Sequence, residues 1–299
     1  MTLKKNVKQS KCMNRGVFTA PDLAGIGLSR WNIEQRVRDG DLTHVSRNWY
    51  AEPDADPRLL IAARAHTRLG CLTACSYHGL WVLPEPNHIH ALAAQYENRE
   101  HVAAQVLKAT RGMHSPIVHR VHGTKMELVC PVDEAIEQVA RFHDTESALI
   151  VLESALNKNV VDVEWADAML DRIPKRRGRR LTGFQLLSES GSETRVSFYL
   201  RTKGLRVRQQ VPLFPNEANR VDILVGESWV IECDSVRYHS SIAAYRNDRE
   251  RDLYLQSKGY QVTRLTYEQI WEDWENTKTM LDSLISHRDY LKKPRGSKA

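Results

Sequence analysis

Three acidic side chains sit where strands should bury apolar ones. The segment Arg220–His239 reads RVDILVGESWVIECDSVRYH. Two apolar runs, Val221–Val225 and Trp229–Ile231, flank a turn holding Gly226 and Ser228, the pattern of a β-hairpin. Asp222 interrupts the first run, and Glu232 and Asp234 end the second. Side chains alternate along a strand, so Glu232 and Asp234 share one face while Ile231 and Cys233 take the other. With Asp222 on the same face, the carboxylates converge. Such groups persist together only with a shared proton, a basic partner or a bound cation. A hard divalent cation, Mg²⁺ or Mn²⁺, takes oxygen ligands and keeps waters for chemistry. Asp222, Glu232 and Asp234 are therefore the candidate metal ligands.

The neighbouring segments supply the frame that holds such a hairpin. Ser190 or Ser192 caps a helix with Glu193 in its first turn, Val196 and Leu200 facing inward, and Gly204 at its end. Glu193 there also reads as a carboxylate stabilised by the helix N-terminus alone. Leu205–Val211 is a strand with Arg206 and Arg208 on one face, either phosphate contacts or charges protecting a sheet edge. Tyr245–Ser257 is a helix dense in charge. Internal pairs one turn apart explain much of that charge, while Arg246 and Arg251 can also clamp phosphates or screen the acidic cluster. Trp271 and Trp274 cover the sheet from a last helix.

The order Glu193, Asp222, Glu232-x-Asp234, His239 resembles the PD-(D/E)XK nuclease superfamily. More narrowly it resembles the branch of very-short-patch repair endonucleases and their DUF559-type relatives. Asp248-x-x-Arg251, Leu255, Gly259 and Val262-x-Arg264 fit that branch, and the likeness covers the last third of the chain. It implies a catalytic set of Glu193, Asp222, Glu232, Asp234 and His239. Asp222 would be the central metal ligand, Glu193 an assistant from the preceding helix, and His239 a general base or acid. Asp234 stands in the slot of the superfamily's lysine, which this branch commonly lacks. Ser235 and Cys233 replace the usual glycine and aliphatic residue.

At the other end, Thr19 with Asp22 opens a short helix around residues 21–24, Gly25-Ile26-Gly27 turns, and Ser29 caps a second helix. Ile33 and Val37 pack inward, Arg30, Asn32, Gln35, Arg36 and Arg38 line the outside, and Gly40 stops the helix. Residues 42–50 then read as a two-stranded wing carrying Arg47. Together these describe a winged helix-turn-helix whose second helix enters a major groove. The stretch resembles the N-terminal domain of AbiEi-type antitoxins and regulators, down to the ending Val45-Ser46-Arg47-Asn48-Trp49-Tyr50. A winged helix used only for protein docking is the alternative.

Between these ends, residues 56–156 read as an α/β domain: helices over 57–69 and 73–80, a strand at His88–Leu92 partnered by Val118–Val121, then helices over 132–139 and 147–156. This part resembles the α/β domain of AbiEi-like proteins through weak motifs. His88 and His90 share a strand face, but without a third ligand nearby in sequence they read as surface or packing residues. Residues 157–189 form a basic helical connector, with Trp165, Met169 and Ile173 at core spacing and Arg176, Arg177, Arg179 and Arg180 available to polyanions. The same clustering can be a solvated linker. The expected architecture is multidomain α/β: a winged helix-turn-helix (1–55), the central α/β domain (56–156), the connector (157–189), a restriction-endonuclease-like αβ domain with a mixed sheet (190–285), and a basic tail (286–299).

At 299 residues the chain has room for several cores. Five cysteines, an odd number without a C-x-x-C pair, suit a reducing compartment, and Cys71 and Cys75 read as core residues. No apolar run approaches bilayer length and the N-terminus lacks a signal-peptide core, so the expectation is a cytoplasmic protein with no membrane partner and no organic cofactor. The net charge of +6 favours a polyanion. Two functions stay open: an endonuclease that hydrolyses DNA with Mg²⁺ or Mn²⁺, and a DNA-binding regulator or antitoxin with an inactive nuclease-like domain. The regulator reading brings homodimerisation on a palindromic site. The residues do not separate DNA from RNA.

Overall fold

Capping residues and glycines set the first elements. The computed structural model describes residues 15–121, 127–214, 219–233 and 242–294, with 242–248 as backbone alone. Strand β1 (Val17–Thr19) runs into helix α1 (Ala20–Gly25), where the Thr19 hydroxyl accepts from the Asp22 amide and the Asp22 carboxylate takes the Thr19 amide. Helix α2 (Arg30–Asp39) starts with the same reciprocal cap between Ser29 and Asn32, and Gly40 ends it at φ 82°. Strands β2 (Thr43–Ser46) and β3 (Trp49–Ala51) form a hairpin, and β1 adds antiparallel to β3 with Phe18 opposite Tyr50. Phe18, Leu23, Leu28, Ile33 and Leu42 make the core of this part. At Gly16, φ is 81° and a Cβ would stand 2.9 Å from Ala55 Cα, so the chain needs glycine there.

Helix α3 (Pro57–Ala65) is capped by Asp56, and α4 (Cys71–Tyr77) follows the short strand β4 (Arg68–Leu69). The expected helix over 57–69 stops at Ala65 because His66 turns left-handed at φ 50°, which frees residues 68–69 to pair with β5 (His88–Ala94). Helix α5 (Arg99–Ala109) then crosses to β6 (Ser115–Val121), parallel to β5 with His90 beside Ile117 and Leu92 beside His119. Leu59, Ala62, Leu69, Ile89, Ala91, Val102 and Val106 fill the space between helices and sheet.

The described residues divide into two compact units, one of residues up to 78 with 85–138, the other of 79–84 with 139 onward; the division falls inside α6 (Val132–Phe142). In the second unit α7 (Thr145–Asn157) is buried through most of its length, and α8 (Val163–Arg172) and α9 (Lys175–Leu181) follow. Next come α10 (Gly191–Thr202), β7 (Val207–Val211), β8 (Val221–Val225), β9 (Trp229–Cys233), α11 (Ile242–Ser257) and β10 (Gln261–Leu265). The sheet order is β10-β9-β8-β7, antiparallel except for the β9–β10 pair, which α11 connects as a crossover. This is the mixed sheet expected near the C-terminus. Helices α12 (Tyr267–Trp271) and α13 (Trp274–His287) close the unit. Ile223, Val225, Trp229, Ile231 and Cys233 pack with Val196, Leu200, Ile270 and Trp274 on one sheet face, and Leu224 and Val230 pack with Leu255 on the other. No described helix is long and apolar enough to cross a membrane.

Candidate active site

The acidic residues of the hairpin take their places from the β8–β9 register. Ile223 pairs with Ile231 and Leu224 with Val230, so the next step outward sets Asp222 opposite Glu232. Opposed residues of an antiparallel pair point to the same face. Ile231 and Cys233 meanwhile lie in the core of the other face, as alternation requires. Asp222 is half-buried, and its Oδ2 accepts a hydrogen bond from the Cys233 amide at 2.8 Å. Glu232 is 6% exposed, and its Oε1 makes no hydrogen bond among the described residues. Arg251 Nη2 lies 3.6 Å from that oxygen.

Glu193 reaches the same place from α10. Ser190 caps the helix, accepting from the Glu193 amide at 3.2 Å and donating its hydroxyl to Glu193 Oε1 at 2.8 Å. Glu193 Oε2 accepts from the Glu189 amide and from Gln210 Nε2, each at 2.9 Å. One side chain thus serves the helix N-terminus and feels the charge of Asp222. Burial pushes the Glu193 carboxyl up to about 7; the charge of Asp222 adds to this, against the hydrogen bonds that favour the ionised form. Burial and then the charge of Asp222 push Glu232 up to about 8, with Arg251 and Arg264 opposing. Glu193 and Glu232 each feel the charge of Asp222, so the place resists carrying all three charges.

A second layer fixes this layout. Glu153 on α7, 1% exposed, accepts from the Gln185 amide at 2.8 Å, from the Ser188 hydroxyl at 2.7 Å and from the Thr194 hydroxyl at 2.6 Å. It ties the segment leading into α10 and the first turn of that helix to a buried helix. Asp252 on α11 holds Arg264 through Nε at 3.1 Å and Nη2 at 2.8 Å, on the strand position beside Glu232. Gln210 went unnoticed in the sequence because nothing in a strand's alternation singles out a glutamine. It has φ 51°, left-handed for a residue that is not glycine, and strain of this kind gathers at functional sites.

Asp234 and His239, expected in the catalytic set, lie outside the described residues, and Arg246 is described as backbone alone. Glu193, Asp222 and Glu232 come together. Arg251 turns toward Glu232, donates to the Arg220 carbonyl at 2.9 Å and lies 4.7 Å over the Phe214 ring. The edge strand β7 starts at Val207, two residues later than expected, so Arg206 lies just ahead of it, exposed and 3.8 Å from Glu227, while Arg208 is exposed on the strand and donates to the Gly226 carbonyl at 3.3 Å. Arg176, Arg177 and Arg180 of α9 line a pocket of about 430 Å³ with His143 and Asp144; Arg177 donates to the His143 carbonyl, and Arg179 is exposed.

Arg30, Asn32, Gln35, Arg36, Arg38 and Arg47 belong to the first unit. Arg30 pairs with Glu34 at 3.1 Å, Asn32 serves the helix cap, Gln35 links Asp39 and Arg38, and Arg47 is exposed in the β2–β3 turn. Trp31, 64% exposed on α2, is an aromatic neighbour that sequence reading passed over.

Among solved structures the chain is similar to the crystal structure of the RV2827C protein from Mycobacterium tuberculosis, with 15% identity over 68% of this chain and 78% of that one. The TM-score is 0.26. No curated protein matches. Residues 193–285 match the family model REase_MTES_1575, so the segment that holds Glu193, Asp222 and Glu232 is a restriction-endonuclease-like, nuclease-type domain.

Proposed function

We propose that the chain is a divalent-metal-dependent DNA endonuclease, with residues 15–55 acting as a winged helix-turn-helix that targets it. The observation that carries this reading is the convergence of Glu193, Asp222 and Glu232 within the nuclease-like segment, with a buried Glu232 oxygen that lacks a hydrogen bond among the described residues. Retained carboxylates would repel a phosphodiester unless a cation stood between them. Oxygen donors alone, with one buried oxygen unsatisfied, suit Mg²⁺ or Mn²⁺. Asp222 and Glu232 would hold the ion, with Asp234 as the further ligand.

A bound ion would polarise the scissile phosphate and acidify water there. The chain supplies the rest. Glu193, near neutrality and steered by Gln210, holds or releases a proton within reach of Asp222. His239 is assigned the general acid or base. Arg251 and Arg264 limit the repulsion that Asp222 and Glu232 exert on each other. Arg36, Arg38 and Arg47, with Arg176, Arg179 and Arg180, offer phosphate contacts that position DNA without reading its sequence.

Supercoiled plasmid incubated with Mg²⁺ or Mn²⁺ tests this directly. Nicking or linearisation by the wild type, lost with EDTA and in Asp222→Ala, is the expected result. If plasmid, linear, mismatched and single-stranded DNA all survive intact while salt-sensitive binding persists, the chain is a regulator with an inactive nuclease fold.

A further inference from the structure

The first unit gathers a set of donors that the nuclease reading leaves unused. Cys71 opens α4, His90 lies on β5 and His119 on β6; the Cys71 sulfur and one ring nitrogen of each histidine lie within 4.8 Å of one another. Cys71 is 0%, His90 1% and His119 9% exposed. His90 Nδ1 meets His119 Nε2 at 3.1 Å, with the ring planes 6° apart. On its other side His90 Nε2 donates to Glu85 Oε2 at 2.8 Å. That bond keeps the ring proton on Nε2 and leaves the Nδ1 lone pair facing His119.

The backbone is shaped to bring the thiol there. The Gly70 amide donates to the His90 carbonyl and the His90 amide to the Thr73 hydroxyl, each at 2.9 Å, which pins the start of α4 to β5. A side chain at Gly70 would collide with Leu92 and Gln138. Cys71 itself has φ 50°, and its amide donates to Gln138 Oε1 at 2.8 Å. A hydrogen-bond chain from Glu85 through His90 to His119 needs no ion. It does not account for a cysteine held beside the two imidazoles by backbone that only glycine adopts without cost.

We propose that Cys71, His90 and His119 bind a zinc-class transition-metal ion, with Glu85 as the outer partner that orients His90. Thiolate and imidazole donors select zinc over Mg²⁺. Tetrahedral bonds of about 2.0–2.1 Å place neighbouring nitrogens about 3.3 Å apart, close to the spacing already present. The remaining position falls to water or another donor. On binding, the Cys71 thiol proton leaves to solvent, and the His119 ring proton moves from Nε2 to Nδ1 so that Nε2 can ligate. The ion clamps α4, β5 and β6 together and stabilises this unit by its binding free energy.

The test uses the full chain without a polyhistidine tag, carrying Asp222→Ala so that the carboxylate cluster does not compete. About one equivalent of zinc should survive dialysis. Cobalt substitution should give visible bands and a sulfur-to-cobalt charge-transfer band. Cys71→Ser should abolish the charge-transfer band and Cys75→Ser should keep it. Glu85→Gln should weaken zinc binding about 10–100-fold while the fold persists. Binding of no stoichiometric zinc by the Asp222→Ala chain with Cys71, His90 and His119 intact, or a charge-transfer band that survives Cys71→Ser, overturns the proposal. Should Cys71→Ser fail to fold, His119→Gln read by the shift of the visible bands decides in its place.

Discussion

Replacing Glu232 by glutamine separates two descriptions of the acidic face. In one, Glu232 is a carboxyl that the fold accommodates only protonated or beside a cation; in the other it is the stable partner of Arg251 at 3.6 Å. Burial and the charge of Asp222 raise it from 4.5 to about 8 despite Arg251 and Arg264. The folded protein therefore holds this proton more tightly than the unfolded chain. The stabilisation is complete below about pH 4.5 and is lost progressively as pH rises toward 8. Each pKa unit is worth about 1.4 kcal/mol, so ionised Glu232 costs the metal-free fold on the order of 3–5 kcal/mol at pH 8.5.

Glutamine keeps the shape and removes the charge. In EDTA, Glu232→Gln should match the wild type near pH 5 and melt above it at pH 8.5. For a unit of this size 1 kcal/mol moves Tm by about 2–4 °C, so the separation is on the order of 10 °C. Calorimetry of the full chain across this pH range reads it. Adding Mn²⁺ at pH 8.5 should raise the wild-type Tm and leave the variant where it was, since ion binding needs the ionised carboxylate. A variant that melts below the wild type by the same margin at every pH would refute the reasoning. The pair with Arg251 would then outweigh burial, and the case for a cation would lose its main support.

Glu153→Ala leaves the Ser188 and Thr194 hydroxyls and the Gln185 amide without their acceptor; it should cost about 3 kcal/mol or more by urea denaturation, and lower cleavage by loosening the first turn of α10. Gly226→Ala meets both a φ of 58° and a Tyr290 carbonyl 2.5 Å from the new Cβ, so a loss of about 2–3 kcal/mol is expected in the same assay. Arg36→Ala combined with Arg47→Ala should weaken DNA binding uniformly across sequences and lower the slope of log K against log salt by about 2, with Tm unchanged. An unaltered slope would remove α2 and the β2–β3 turn from the DNA-facing surface.

What the sequence disclosed and what it hid follow from the range of the interactions concerned. The hairpin around Gly226 was legible because apolar alternation and a turn are local, and alternation alone set Glu232 apart from Ile231 and Cys233. The α1 and α2 caps were legible for the same reason. The helix expected over 57–69 failed at His66, where one left-handed residue ends the helix against its alanine-rich propensity so that Leu69 can join a sheet. Gln210 was invisible because its importance comes from facing Glu193 across 17 residues. Cys71, His90 and His119 show the same limit more sharply. Spacing in sequence argues against a ligand set, since the residues come from a helix start and two parallel strands, and only the pairing of β5 with β6 brings them within one coordination sphere. Spacing rules detect sites built on one helix or one loop. A site assembled across a sheet is governed by register, and register becomes readable only after the sheet order is known.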